Sequence, residues 1–561
     1  MGNRPCCREG EAKAVAAEEV SADTAGDIST YPDLSPSNSS EYPQVGQLGS
    51  TEMTESMAAR KPPSRVSRLK KLKHLEIDME ILRGADLRRT LFHCGKIWLK
   101  PPGHLNLRDR AALWTYSTPV QGFDTFLSHT WLTPGRLKAL SLTLQRGWPV
   151  PLIFFVAATV LAMALCMYDI MPMPWTNTTT ITGHLQEYPF GPWILLCGFL
   201  ALLLGIVLAP YFPTYSETVF VDVFSIHQTD AELMERGIYG LAGCLRMSKQ
   251  MQVLWSPPYL SRLWCIFEIA AFRKANPEGK ILWTPLFLER AVLVVLVMSF
   301  GMASLHWFLI ATKASLVSTF LSYMFAYFPC GIGVHALRRS FLEGAQLLNG
   351  LQHFDLNSAG CSLEFDRQFI YTAILDWYDS EEAFTQYVRG PLHEELAASA
   401  SFGDCPLGYF LIILAVPVSL SLEFAVSLLK GGAPGEAILR YVIGTLLGFD
   451  LAWTTFGLVN LRNLCYHFAA PRCRAGSAAL DFGQSMLIVM CVSACYTLGM
   501  EATYWATESS LWASTGWACF AFLCAFLALK GKAAVAAFGV CTKPSSKLAC
   551  AQPQSDVMFS I

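Results

Sequence analysis

The sequence predicts a polytopic α-helical membrane protein of about eight spans, with a cytosolic α/β domain interrupted by a two-span hairpin. Three observations carry that reading. Apolar residues make up 53% of the chain and charged residues only 15%, against about 25% charged in ordinary soluble domains. Eight runs with little or no charge match the roughly 20 residues a helix needs to cross a bilayer. Around the first two runs, polar stretches alternate strand-like and helix-like segments, the pattern of a doubly wound parallel sheet. The mean hydropathy is +0.35. With 42 Lys and Arg against 44 Asp and Glu the net charge is −2, without the basic excess of a nucleic-acid protein. The 18 Cys do not cluster. They form neither zinc-type spacings nor the framework of a small secreted domain, so no metal is expected.

Residues 1–75 read as a disordered cytosolic tail, rich in Ser, Glu, Pro and Gly and without the apolar core of a signal peptide. The tail begins like an acylated one. Gly2 is a candidate for myristoylation, although Cys6 replaces the Ser or Thr of the motif, and Cys6 and Cys7 are candidates for palmitoylation. The basic run 68–73 suits either anionic lipid or a solvated helix face. A cytosolic segment, 76–148, leads to a transmembrane hairpin over 149–213, with runs at 149–168 and 190–213. A second cytosolic segment, 214–290, precedes another hairpin over 291–335, with runs at 291–312 and 314–335. A cytosolic helical segment fills 336–406, a four-span bundle 407–529 and a cytosolic tail 530–561. The bundle runs are 407–429, 441–460, 483–506 and 511–529.

Charge sets the expected orientation. Loops assigned outside hold only Lys313, Lys430 and Arg440, while 214–290 alone holds Arg236, Arg246, Lys249, Arg262, Arg273, Lys274, Lys280 and Arg290. By the positive-inside rule both termini are cytosolic. The loop 169–189 then lies outside, where Asn177 heads a glycosylation sequon. Glu423, Asp450 and Glu501 fall within runs. Intramembrane acids are costly and point to a functional lining, or else sit near span ends or pair with polar neighbours. Gly444, Gly448 and Gly457, in the same run as Asp450, suggest close helix packing.

Within the α/β domain, Gly122–His129 reads as a strand entering a turn, and 136–148 as the following helix. After the hairpin, 219–226 reads as a strand, 230–249 as a helix capped by Asp230, 251–255 as a buried strand, 260–274 as a helix and 280–283 as a further strand. A two-span hairpin returns the chain to the side it left, so both parts can build one sheet. In the segment 336–406, a helix over 366–378 presents Phe369, Ile370, Ile374 and Trp377 on one stripe. A further helix is expected from Ser380.

The stretch Phe123-Asp124-Thr125-Phe126-Leu127-Ser128-His129 resembles the opening box of Toll/interleukin-1 receptor (TIR) domains. Phe220 to Asp222, then Gly237-Ile238, Ser248, Ser256, Tyr259, Trp264-Cys265 and Glu268 are similar to the middle and third boxes. Arg262 stands where the third box has its second Ser, and HQTDAELMERGI replaces the R-D-x-x-P-G loop. The resemblance covers about a quarter of the chain. The arrangement also resembles uncharacterised multi-span proteins of dinoflagellate algae. It implies a flavodoxin-like TIR-like domain that signals by binding other TIR-like domains or itself. Some family members cleave NAD at the nicotinamide–ribose bond, and this makes NAD a candidate substrate.

The site implied is specific. Glu268 matches the family's catalytic Glu, a carboxylate suited to positive charge developing on the ribose. Ser128, His129 and Trp131 follow the first strand at its carboxyl end, where open α/β sheets bind ligands, and Asp222 lies near the end of the second. Trp131 offers a ring for stacking on a base or on nicotinamide. Phe123, Asp124, Ser256, Tyr259, Trp264 and Cys265 read as motif and packing residues. Two further functions stay open: a transporter or channel regulated by the TIR-like unit, with Asp450 on its path, and a membrane scaffold without activity.

Overall fold

The structure is a computed structural model and describes residues 79–181, 184–361, 364–399, 406–471 and 477–537. Gly2, Cys6 and Cys7, the tail 1–75, the basic run 68–73 and the end of the C-terminal tail lie outside the described residues.

Eight helices are long and apolar enough to cross a membrane, the architecture of an integral multi-pass membrane protein: Pro149–Met167, Trp193–Tyr211, Phe287–Ala311, Leu316–Gln352, Leu407–Lys430, Gly435–His467, Ala478–Ser509 and Leu511–Lys530. Large apolar side chains such as Val160, Leu204, Phe325 and Phe526 are left exposed on them, as suits faces turned to lipid. The fourth helix runs well past the expected end at 335. It continues through Gly344 and Gly350 because its far end buries Leu351 in the core of the sheet domain. The sixth begins earlier than expected, directly after Pro434, and is π-helical over Val442–Trp453.

Eight strands are present among the described residues: β1 (Arg83–Asp86), β2 (Ser117–Pro119), β3 (Phe123–Ser128), β4 (Trp175–Ile181), β5 (His184–Phe190), β6 (Thr218–Phe220), β7 (Ser248–Trp255) and β8 (Lys280–Pro285). Six of them form one sheet in the order β2-β1-β6-β3-β7-β8. The strands β6, β3, β7 and β8 are parallel, with Phe126 opposite both Phe220 and Met251. The expected all-parallel sheet is corrected at one edge, where β1 runs antiparallel to both β2 and β6. The expected strand over 219–226 stops at Phe220, because Asp222–Ser225 is a helical turn. The helix expected over 230–249 is two short helices broken at Gly240, and β7 already starts at Ser248. The loop 169–189 holds the hairpin β4–β5, with Asn177 opposite Tyr188.

The sheet is continuous across the membrane insertion because the hairpin closes tightly at its base. A Cβ on Gly147 would stand 2.7 Å from that of Ala209, and one on Gly205 would stand 2.4 Å from Pro151 Cα. Small residues at both points let the outgoing and returning chains approach. One sheet face packs Phe126, Met251, Val253 and Phe267, and the other packs Leu127, Leu142, Val219 and Leu254. Helix Glu364–Tyr378 lies on helix Leu263–Ala275: Trp377 stacks on Phe267 at 5.4 Å, and Trp264 on Phe369 at 5.9 Å. A chain of polar side chains ties sheet to bundle. Gln252 Nε2 donates to Gln145 Oε1 (2.8 Å), Gln145 Nε2 donates to Glu289 Oε1 (3.1 Å), and Tyr409 Oη donates to the same oxygen (2.8 Å).

Candidate functional site

The carboxyl end of β3 is where both groups of motif residues meet. Phe123, Phe126 and Leu127 bury β3, and its last residue, Ser128, is buried among polar partners. Ser128 Oγ donates to Glu268 Oε2 at 2.5 Å and shares a 2.5 Å bond with Tyr259 Oη. Tyr259 also donates to the Cys265 carbonyl at 3.3 Å. Tyr259 comes from the turn Pro257–Ser261 that follows β7, and Glu268 from the second turn of helix Leu263–Ala275. Burial pushes the Glu268 carboxyl up to about 8; the Ser128 bond opposes this and the charge of Asp222 adds to it. Glu268 keeps some solvent contact, so it is enclosed but not sealed. Near neutral pH the protonated form is therefore favoured over the carboxylate.

A second cluster lies beside the first. Trp131 Nε1 donates to Asp222 Oδ2 at 3.0 Å. His129 is buried, its ring set edge-on to Trp98 (5.6 Å) and to Trp131 (4.7 Å). Burial, with Lys138 nearby, lowers its pKa to about 4, against a smaller opposing effect of Asp222. Lys138 is fully buried with Nζ 4.3 Å from the centroid of the Trp131 ring, and burial lowers its pKa to about 8. Ser128 thus joins Glu268 directly, whereas His129, Trp131 and Asp222 form a neighbouring group.

The remaining motif residues hold this edge together. Phe123 is core. Asp124 accepts from Thr218 N at 2.9 Å and from Lys249 Nζ at 2.7 Å, and the Lys249 bond holds its carboxyl below the usual range. Ser256 bonds Thr133. Cys265 is buried, its Sγ 3.7 Å from the His129 carbonyl, and burial keeps the thiol well above its ordinary pKa, the opposite of an activated nucleophile. His227 Nδ1 accepts from the backbone N of Asp230 at 2.8 Å, a turn role.

Two residues of the site were not singled out from sequence. Trp98 reaches it from the segment before β3. Its backbone is pinned against Gly135, where a Cβ would stand 1.6 Å from the Trp98 carbonyl oxygen. Lys138 carried a legible signal: with Ser141, Leu142 and Gln145 it lies on one stripe of helix Gly135–Gly147, and that stripe faces inward.

The intramembrane acids separate into three situations. Glu423 is fully buried and accepts from the N–H groups of Ile194 (2.7 Å) and Leu195 (3.4 Å), so it caps the second apolar helix, whose Pro192 offers no side-chain cap. Asp450 is buried in the π-helical stretch beside the Ser421 hydroxyl, with Oδ2 unpartnered. Glu501 is exposed. Asn177 is half-buried on β4. Among the described residues no three His, Cys, Asp or Glu side chains converge as a metal site requires.

No protein-family model matches the chain, and neither a curated protein nor a solved structure matches it.

Proposed function

We propose that the chain is a membrane-anchored signalling protein whose TIR-like cytosolic domain acts by assembly with other TIR-like domains or with itself, and that Glu268 gives it NAD-cleaving capacity. The observation that carries this reading is the 2.5 Å bond between Ser128 and Glu268, which joins the two motif regions at the carboxyl edge of a parallel sheet across a membrane insertion. Trp131 and Asp222 stand beside that edge, in reach of an aromatic ring and of hydroxyl groups. In the cleavage the C1′–N bond to nicotinamide breaks and its electron pair leaves with the nicotinamide nitrogen. Water adds to C1′ and loses a proton. Glu268 as carboxylate faces the positive charge developing on the ribose. The test is nicotinamide release from NAD by the purified full-length protein in a self-associated state. Absence of release removes the enzymatic part of the reading, and absence of any self-association removes the assembly part.

Both termini and the sheet domain are assigned to the cytosol on the loop-charge asymmetry and the even number of apolar helices. A glycosylation-tag map checks this, and tags modified within 214–290 would reverse it. A second function is favoured by one observation, the unpartnered Asp450 Oδ2 within a π-helical stretch, a distortion frequent at functional sites. In that reading the TIR-like unit regulates transport. Proton flux into proteoliposomes, compared for wild type and Asp450→Asn, decides it.

A further inference from the structure

Lys138 and His129 are buried side chains at the carboxyl edge of the sheet, each with a polar atom that has no hydrogen-bond partner among the described residues. Lys138 Nζ has no hydrogen-bond partner among the described residues, and the face of Trp131 covers it. His129 Nε2 is likewise buried and unpartnered, since the nearer Asp222 oxygen stands 3.8 Å away, beyond hydrogen-bond reach. With its proton on the other ring nitrogen, toward the Leu127 backbone, the neutral imidazole presents a lone pair at Nε2. An ammonium buried without a hydrogen bond is costly, and the cost falls when an anion meets it. Lys138 also sits in the first turn of a 13-residue helix that Pro134 leaves without a side-chain cap, a place that favours negative charge.

Trp131 separates this pair from solvent. It lies in the turn after β3, next to the exposed Leu132; its indole stacks on Trp98 at 6.5 Å, and its one hydrogen bond runs to Asp222. The Asp222 side chain is 41% exposed, so it can turn outward and release the indole. While latched, its negative charge opposes entry of an anion.

We propose that Trp131 is the lid of a binding site for a hydroxyl-bearing phosphate group, in which Lys138 holds an anionic oxygen and His129 Nε2 accepts the ligand's hydroxyl proton. Inorganic monohydrogen phosphate has this chemistry, and a nucleotide has it in its terminal phosphate while that group is monoprotonated. Sulfate has the charge and shape but no proton to give at neutral pH. The site is a binding site in its own right and does not depend on NAD cleavage.

The test uses the full-length protein in detergent, with inorganic phosphate, sulfate and ADP as probes and binding read by calorimetry and by Trp131-dependent fluorescence. Phosphate binds in preference to sulfate. Asp222→Asn frees the lid and removes the opposing charge, tightening phosphate about tenfold or more as the competent fraction rises. Lys138→Met abolishes binding in either background. His129→Phe loses the preference for phosphate over sulfate, which keeps the proposal testable if Lys138→Met does not fold. ADP binding more tightly than phosphate and displaced by it identifies a nucleotide as the ligand, and the reverse order identifies free phosphate. Equal affinity for phosphate and sulfate, undiminished binding by Lys138→Met, or no binding of phosphate or ADP to Asp222→Asn at millimolar concentration overturns the proposal.

Discussion

The sheet edge and the membrane bundle both bury carboxyl groups, and they meet the cost differently. At the sheet edge, Glu268 is bonded by one hydroxyl, with Tyr259 and Asp222 beside it, and keeps some access to solvent. In the bundle, Glu423 is sealed; its Oε2 accepts from two backbone N–H groups at a helix start, and its Oε1 has no partner among the described residues. A carboxylate that satisfies a helix N-terminus is a structural part. A carboxyl held by a single side chain at an accessible strand end is free to act on something else. The difference teaches that an acid in an apolar sequence run is not by itself a functional signal, and that its partners decide.

The sharpest way to break this comparison is to remove the Glu268 charge without changing its shape. Glu268→Gln is expected to lower nicotinamide release by on the order of 10²–10³, with thermal unfolding nearly unchanged below pH 4.5, where the wild-type carboxyl is neutral in both states. Equal release by the variant and wild type refutes the role given to Glu268. The wild-type rate should also rise with pH toward about 8, where the carboxylate becomes the major form, and a rate that falls over that range would oppose the assignment.

Gly135→Ala tests what holds the site's back wall. The added Cβ meets the Trp98 carbonyl oxygen at 1.6 Å. Backbone cannot give way as a flexible side chain can, so a loss of about 3 kcal/mol or more is expected, measured by thermal or denaturant unfolding. A neutral result would mean that the segment carrying Trp98 is not packed there.

Glu423→Ala comes next. It strips partners from two buried N–H groups and leaves a cavity, for an expected loss of about 3 kcal/mol. Glu423→Gln keeps an acceptor oxygen and should lose about 1 kcal/mol or less. If both variants fold as well as wild type but alter transport, Glu423 belongs with Asp450 and not with the helix cap.

How much of this was legible in the sequence depends on element length and pattern. The strands β3 and β7 and helix Leu263–Ala275 stand out because their apolar runs have the length and spacing of buried elements. The strand β1 does not, since Arg83-Gly84-Ala85-Asp86 has no apolar run and is fixed only by its neighbours, Ala85 lying opposite both Ser117 and Val219. The helical turn at Asp222 was hidden inside an apolar stretch that reads equally as strand. Hydropathy found the sixth apolar helix but not its π-helical stretch, because a change of hydrogen-bond register leaves composition untouched. Of the site, Ser128 and Glu268 were readable through their motifs, and their mutual bond was not. Lys138 was readable in principle as a charge on an inward stripe. Trp98 was not, because only the close approach at Gly135 brings it in.

A smaller effect concerns stability against pH. The Glu268 carboxyl titrates near 8 in the folded protein, against an ordinary value of 4.5. Below the lower value both states hold the proton and nothing changes. Between the two the unfolded chain has released it and the folded domain has not, so stability falls as pH rises, and it levels off above the higher value. Unfolding midpoints across that window should slope downward for wild type and less so for Glu268→Gln. Identical slopes would place the carboxyl in a wetter setting than its neighbours imply.

The smallest effect expected is the most useful control. Glu501 lies in the seventh apolar helix, two turns before its end at Ser509, and is exposed. No hydrogen bond or ion pair within the described residues depends on it, in contrast to Glu423. Glu501→Ala should therefore change unfolding by no more than about 0.5 kcal/mol. The helix end puts Glu501 within reach of the bilayer–water boundary, where a carboxylate stays solvated at little cost. If Glu501→Ala instead abolished self-association or flux while leaving the monomer folded, the exposed face of this helix would be an interface or a pathway. The bundle would then use an acid as the sheet edge does, and the comparison would fail at its weakest point.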